Sequence, residues 1–269
     1  MKSRGPAALR ADRGADPIAA GLDVRATLFA AAVAAMLFCL LAWLLLEAGP
    51  TNAVDQQLEA AIRGWRDPGL DRLMLLATDL CTWQIVAAGL TAAILYFIMQ
   101  GQRLAALALL VSVLGDSLIV STLKPLFARL RPDQADALLP ATGASFPSGH
   151  TFAAVAFYAL LALLAAQHLR GRSARALVIG AGAVFCLLVG VSRVYLGAHW
   201  PSDVAGSWLL GTAWIALVSA GLSITSRRFN QEHRPRRELR LVTVLLVLAW
   251  VCIVVVFSIT QPGLEQTLA

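Results

Sequence analysis

Charge is what this sequence has least of. Only 14% of its 269 residues are charged and 58% are hydrophobic, against about a quarter charged in a soluble domain. A soluble globular fold is thereby excluded. Cysteine is sparse as well. Cys39, Cys186 and Cys252 lie inside apolar runs and Cys81 near the start of another, where a free thiol behaves as a small hydrophobe. No pair has metal-ligand spacing, which leaves out a disulfide scaffold and a zinc site; neither a metal nor a cofactor is expected. Internal repeats and low-complexity tracts are absent too. The net charge of +6 does not imply a nucleic-acid partner, because the basic residues collect in short loops between apolar runs rather than along one stripe.

What the chain has instead is a series of apolar runs, each close to the ~20 residues that cross a bilayer. They fall at 26–47, 83–99, 104–123, 150–167, 176–195, 204–224 and 241–258. The first follows a polar lead too extended for a cleaved leader, and no small-x-small site follows it, so it reads as a retained span. The fold class expected is all-α: a polytopic integral membrane protein with a six-span core over 26–225 and a seventh C-terminal span within 241–269.

The loops alternate. The N-terminal tail (1–25), "QGQR" (100–103), "HLRGRSAR" (168–175) and the linker "SRRFNQEHRPRRELR" (226–240) are basic; 48–82, 124–149 and 196–203 form the other set. The positive-inside rule places the basic set in the cytoplasm and the other set, with the tail after the seventh span, on the opposite face. Within 54–80, Leu58, Ile62 and Trp65, then Leu70, Leu73 and Leu76 after the Asp67-Pro68-Gly69 turn, recur at helical spacing. Two short amphipathic helices are expected there, lying at the outer interface with Trp65 among the headgroups or capping the outer loops.

Three clusters fall in or beside the non-cytoplasmic loops. In "KPLFARLRP" (124–132) Lys124 and Arg131 are separated by six residues, with Arg129 between them. Such cations can snorkel to the interface, yet they stand on the face where basic residues are disfavoured, which suggests an anionic partner suited to arginine's planar fork and lysine's point charge. In "FPSGH" (146–150) Ser148 suits an N-cap and Gly149 lets a ligand approach the backbone. The helix that follows would direct its free N–H groups outward as an anion site. His150 in its first turn is either a proton donor to a bound phosphate or an interfacial histidine at a plain helix start. In "SRVYLGAHWPSD" (192–203) Arg193 ends a span, His199 follows after five residues, and Asp203 comes four later, with Pro201 opening a helix. Asp203 either complements the helix dipole or accepts from one nitrogen of His199, leaving the other nitrogen a nucleophile.

Taken together, Lys124-x6-Arg131-Pro132, Pro147-Ser148-Gly149-His150 and Ser192-Arg193-x5-His199-x3-Asp203 resemble the tripartite signature of the type-2 phosphatidic acid phosphatases. That superfamily also includes bacterial acid phosphatases and vanadium haloperoxidases. The resemblance covers roughly residues 50–225. It implies a helical membrane core and metal-independent phosphoryl transfer through a phosphohistidine. Lys124, Arg131 and Arg193 would clamp the phosphate, aided by Ser148 and the Gly149 N–H. His199 would attack, oriented by Asp203, and His150 would protonate the leaving oxygen. Charge stabilisation by such preorganised cations is the main catalytic effect in phosphoryl transfer.

The substrate expected is a membrane lipid phosphate or diphosphate such as undecaprenyl diphosphate, phosphatidylglycerol phosphate or phosphatidic acid. The location expected is a bacterial cytoplasmic (inner) membrane with the site facing the periplasm. A phosphotransferase on the same scaffold and a non-catalytic phospholipid-binding or transport protein are the alternatives, and the oligomeric state is left open. His168 and His233 fall in basic loops as ordinary surface residues. Asp116, inside a span, either lines the cleft or bonds to a neighbouring span.

Overall fold

A computed structural model describes residues 23–48 and 52–229. Most of the N-terminal tail, the linker from residue 230 and the seventh span with its tail lie outside the described residues. Among the described residues there are helices and no strand. They are α1 (Val24–Ala48), α2 (Ala53–Arg63), α3 (Pro68–Asp79), α4 (Trp83–Met99), α5 (Arg103–Phe127), α6 (Gly149–Ala166), α7 (Arg172–Tyr195) and α8 (Pro201–Phe229). Five of them, α1, α5, α6, α7 and α8, are long and apolar enough to cross a membrane. The polytopic helical architecture expected from the sequence is therefore present.

Two boundaries differ from expectation. The run 83–99 is a 17-residue helix that is long enough to cross only together with α3, across a bend of 54°. Its freed groups are satisfied at the bend: the Tyr158 hydroxyl donates to Leu80 O at 2.6 Å and the Thr82 hydroxyl to Asp79 O at 2.8 Å. A bend that costs no orphaned carbonyl is invisible to a hydropathy window. The other difference is α8, which runs on to Phe229 and takes up the first residues of the expected linker.

The short helices form where expected, from local capping. The Asn52 side chain accepts the Asp55 N–H at 2.7 Å to start α2. Asp67 accepts from Gly69 and Leu70, with Pro68 in the first turn, to start α3. The faces of α2 are the reverse of a soluble helix. Its buried residues are Asp55 and Glu59, whereas Val54, Leu58 and nearby Trp65 are exposed. In α3, Met74, Leu75, Ala77 and Thr78 face inward and pack toward α7, with Leu73 and Leu76 outside.

The long helices interlock through close approaches. A Cβ on Gly190 would lie 2.3 Å from Trp208 Cζ2, and one on Gly206 2.6 Å from Phe146 Cε2. Glycine at these points lets α7 meet α8, and lets α8 meet the loop before α6, at contact distance. Phe146, fully buried, also stacks on Phe38 of α1 and meets Phe127 of α5 edge-on, with ring centroids at 5.8 and 4.6 Å. This wedge fixes the loop that delivers Ser148 and His150. Within α6, residues Ala154–Ala159 wind as a π-helix. Neighbouring helices take carbonyls there: Ser112 Oγ donates to Ala156 O at 2.8 Å and Cys186 Sγ to Ala154 O at 3.3 Å.

Candidate active site

Consecutive helices α5–α8 alternate in direction, so the C-terminal ends of α5 and α7 and the N-terminal ends of α6 and α8 meet at one end of the bundle. All three sequence clusters lie there. From the end of α7 the chain turns through Gly197, at φ +78°, and enters α8 at Pro201. The N–H groups of Ala198 and His199 both return to Arg193 O, at 3.0 and 3.2 Å, which binds the His199 loop to the end of α7. A positive φ suits glycine here, and a Cβ would also meet Arg63 Nη2 at 2.7 Å.

His199 and Asp203 are both buried. His199 Nδ1 lies 3.4 Å from Asp203 Oδ2, and Nε2 lies 3.1 Å from Arg131 Nη1. A guanidinium can only donate, so Nε2 must present its lone pair and Nδ1 carry the proton toward Asp203. Burial pushes the His199 pKa down to about 4, against the opposing pull of Asp203. The ring is therefore neutral at ordinary pH, with one directed lone pair. Asp203 also accepts the Trp200 N–H at 2.9 Å, closing the first turn of α8. The two readings of Asp203, helix-start residue and histidine partner, thus describe one carboxylate doing both.

The three motif cations differ in how they are held. Arg131 is clamped by carbonyls: its Nε and Nη2 donate to Thr142 O, Nε also to Gly143 O, Nη2 also to Ala144 O, and Nη1 to Ala198 O at 2.6 Å. Arg193 is buried and donates to Thr78 Oγ1 of α3 at 2.6 Å, while its Nε has no partner among the described residues. Lys124, in the last turn of α5, is half-buried and has no hydrogen bond or ion pair among the described residues. Lys124 and Arg131 line a cavity of about 510 Å³ with Ala128, Gly143 and Ala144. Lys124, Arg131, Arg193 and His199 all lie within electrostatic range of His150. All eight predicted site residues are thereby brought to one end of the bundle.

The Ser148 expectation needs correction. It sits at the N-cap position but makes no side-chain cap; its buried hydroxyl meets Thr151 Oγ1 at 3.0 Å instead. The first intrahelical bond runs from Phe152 N–H to Ser148 O, so the N–H groups of Gly149, His150 and Thr151 have no intrahelical acceptor. A Cβ on Gly149 would meet only Val120, at an ordinary 3.6 Å.

Arg129 also departs from expectation. Grouped by sequence with the cations that suggest an anionic ligand, it is instead neutralised by the protein. Nη1 donates to Asp203 Oδ1 at 2.5 Å and to Ser202 Oγ at 2.7 Å, and Nη2 donates to Asp55 Oδ2 at 2.6 Å. Asp55, Ser145 and Thr78 were not singled out from the sequence. The Ser145 hydroxyl donates to Asp203 Oδ2 and stands 3.5 Å from His199 Nδ1. Only the acidic first turn of the capped helix α2 carried any signal for Asp55. Asp116 is buried, its Oδ1 has no partner among the described residues, and it makes no ion pair with a motif cation.

Residues 105–225 match the family model described as PAP2 superfamily. Phosphatidylglycerophosphatase B of Bacillus subtilis is 39% identical over 119 residues, 44% of this chain and 57% of that protein. Undecaprenyl-diphosphatase of Sulfolobus acidocaldarius is 39% identical over 84 residues, 31% of this chain and 36% of that protein. The chain thus spans about half, or less, of the length of these curated relatives. A crystal structure of a transmembrane PAP2 type phosphatidylglycerolphosphate phosphatase from Bacillus subtilis superposes with a TM-score of 0.64 at 31% identity, covering 75% of this chain and 99% of that one.

Proposed function

The chain belongs to the PAP2 superfamily, and from that premise we propose that it is an integral membrane phosphatase hydrolysing a lipid phosphate or diphosphate through a phosphohistidine. The observation that carries this reading is the His199 ring, neutral, buried, and set with Nδ1 toward Asp203 and Nε2 toward the Arg131 cation. An imidazole held this way has one lone pair to give, and that lone pair faces the charge that would hold a phosphate beside it.

In the proposed reaction, the phosphate enters against Lys124, Arg131 and Arg193, with the Gly149 N–H and Ser148 completing the cradle. Arg131 shifts from Nε2 onto phosphate oxygens, which frees the lone pair. Nε2 attacks phosphorus, the N–P bond forms and the P–O bond to the lipid breaks in line. His150 gives its proton to the departing oxygen, and Asp203 balances the positive charge now carried by the phosphorylated ring. Water then attacks phosphorus, His150 takes its proton, the N–P bond breaks and inorganic phosphate leaves. No step needs a metal.

A site at the ends of spans lets the acyl or prenyl chain stay among the lipids while the headgroup alone reaches the cations. Phosphatidylglycerol phosphate, undecaprenyl diphosphate and phosphatidic acid are the substrates proposed, the first two supported by the names of the relatives. The site faces the outer side of a cytoplasmic membrane, since the loops at the other end of the spans are the basic ones.

The deciding experiment is phosphate release by the purified chain from a panel of these lipids in detergent with chelator present. Turnover with an acid-labile phosphohistidine trapped at residue 199 is the expected result. Strict metal dependence would sink the mechanism. Phosphate recovered on an added lipid or sugar hydroxyl in place of free phosphate would make the protein a phosphotransferase.

A further inference from the structure

Asp203 has more donors than one carboxylate acting on one histidine requires. Its Oδ2 accepts from Ser145 and the Trp200 N–H and faces His199, and its Oδ1 accepts from Arg129. The arginine raises a difficulty. A guanidinium held 2.5 Å from Asp203 and buried with it cancels the negative charge that the ring on His199 needs when it becomes cationic. The second carboxylate resolves this. Asp55, in the first turn of α2 and only 2% exposed, takes the other terminal nitrogen of Arg129 at 2.6 Å. Asp55, Arg129 and Asp203 then carry a net charge of −1 as a unit, which is the charge Asp203 would carry alone. The same Asp55 accepts the Ser202 N–H at 2.9 Å and the Ser202 hydroxyl at 2.5 Å, and so holds the turn of α8 from which Asp203 projects.

We propose that Asp55 is a positioning residue for the phosphoryl-transfer chemistry: acting through Arg129, it keeps the Asp203 carboxylate oriented and its negative charge available to His199. This rests on the reading of His199 as the phosphate acceptor. A latch between α2 and α8 made only for stability would need no charge, and burying two acids with one arginine is expensive compared with apolar packing. The charge is what the site requires.

The test compares the full-length chain with Asp55→Asn, Asp55→Glu, Arg129→Gln and the double variant Asp55→Asn/Arg129→Gln in detergent. The substrate is whichever lipid phosphate of the panel turns over fastest, and thermal unfolding confirms that each variant is folded. Asp55→Asn takes the cluster charge from −1 to 0. It is expected to lower kcat at least tenfold with KM within threefold of wild type, and to move the acid limb of kcat/KM to lower pH. The groups facing His199 are Asp203 of α8, Arg131 of the loop before α6, Arg193 of α7 and His150 of α6, with Lys124 of α5 beyond them. All are retained, so a shift of that limb reports on Asp55.

The double variant restores −1 and is expected to regain at least threefold over Asp55→Asn, with its acid limb at the wild-type pH. It leaves Asp203 with hydrogen bonds from Ser145, the Trp200 N–H and His199 but no cation, whereas Asp55→Asn keeps the Arg129–Asp203 pair, so Asp55→Asn carries the test even where the double variant does not fold. Asp55→Glu, which keeps the charge, is expected to hold the wild-type acid limb. Wild-type kcat and acid limb in Asp55→Asn, or a shifted limb in the double variant, would overturn the proposal while the wild-type enzyme remains active. A wild-type chain that releases no phosphate overturns the phosphatase reading, and this one with it.

Discussion

At the site end of the bundle, polar bonds join residues far apart in the chain: Arg129 to Asp55 and Ser202, Arg193 to Thr78, Arg66 to the Tyr195 carbonyl. Along the rest of the same helices the contacts are of another kind. Trp208 lies over Gly190 and Trp214 over Gly115, and each indole spends its one donor on a helix carbonyl, Cys186 O at 3.1 Å and Ser112 O at 3.0 Å. The helix shafts are held by shape, because lipid offers no hydrophobic drive between them. The site end is held by charge, because every buried ion there needs a partner. One set of helices therefore has two vulnerabilities, and each can be attacked without the other.

His199→Ala strikes the charged end alone. Phosphate release should fall by on the order of 10⁴-fold or more, with lipid binding largely kept and the unfolding temperature in detergent little changed. Retained turnover would mean that another group accepts the phosphate.

Acid should weaken the same end through stability. His199 has a folded pKa of about 4 against roughly 6.5 unfolded, so below pH 6.5 the unfolded chain binds a proton that the folded chain refuses. Stability should fall as pH drops from 6.5 to 4, by about 3 kcal/mol at full effect, and level off below. Unfolding measured across that range for wild type and His199→Gln isolates the effect as the difference between them. Parallel curves would contradict the assignment of a neutral buried ring.

Gly190→Val strikes the shaft. The new side chain has nowhere to go beneath Trp208, and about 1–3 kcal/mol of stability should be lost, while kcat per folded molecule stays at the wild-type value. A fall in kcat larger than the fall in folded protein would show that the shaft and the site are coupled.

The parts of the molecule that were legible in the sequence follow the same division. Helix shafts announce themselves because a bilayer demands long apolar runs, and 104–123, 176–195 and 204–224 all lie within helices long and apolar enough to cross a membrane. The cations and histidines were legible because each stands in a short local pattern. Arg129 was misread because only the fold brings Asp55, 74 residues away, to its other side. Ser148 was read as a cap on local grounds and found its partner in Thr151. The bend between α3 and α4 was hidden because the hydroxyl that stabilises it, on Tyr158, comes 78 residues later.

The π-helical turns at Ala154–Ala159 have a consequence for the register of α6. A π-turn holds one residue more than an α-turn, so the half of the helix carrying His150 is out of phase with the half that ends at Ala166. Winding the same residues as a regular α-helix, with none removed, would rotate one half against the other by about 100°. With the far half keyed into its neighbours, His150 would be the part that turns away. The added residue works as an angular offset, letting one helix obey two different packing directions.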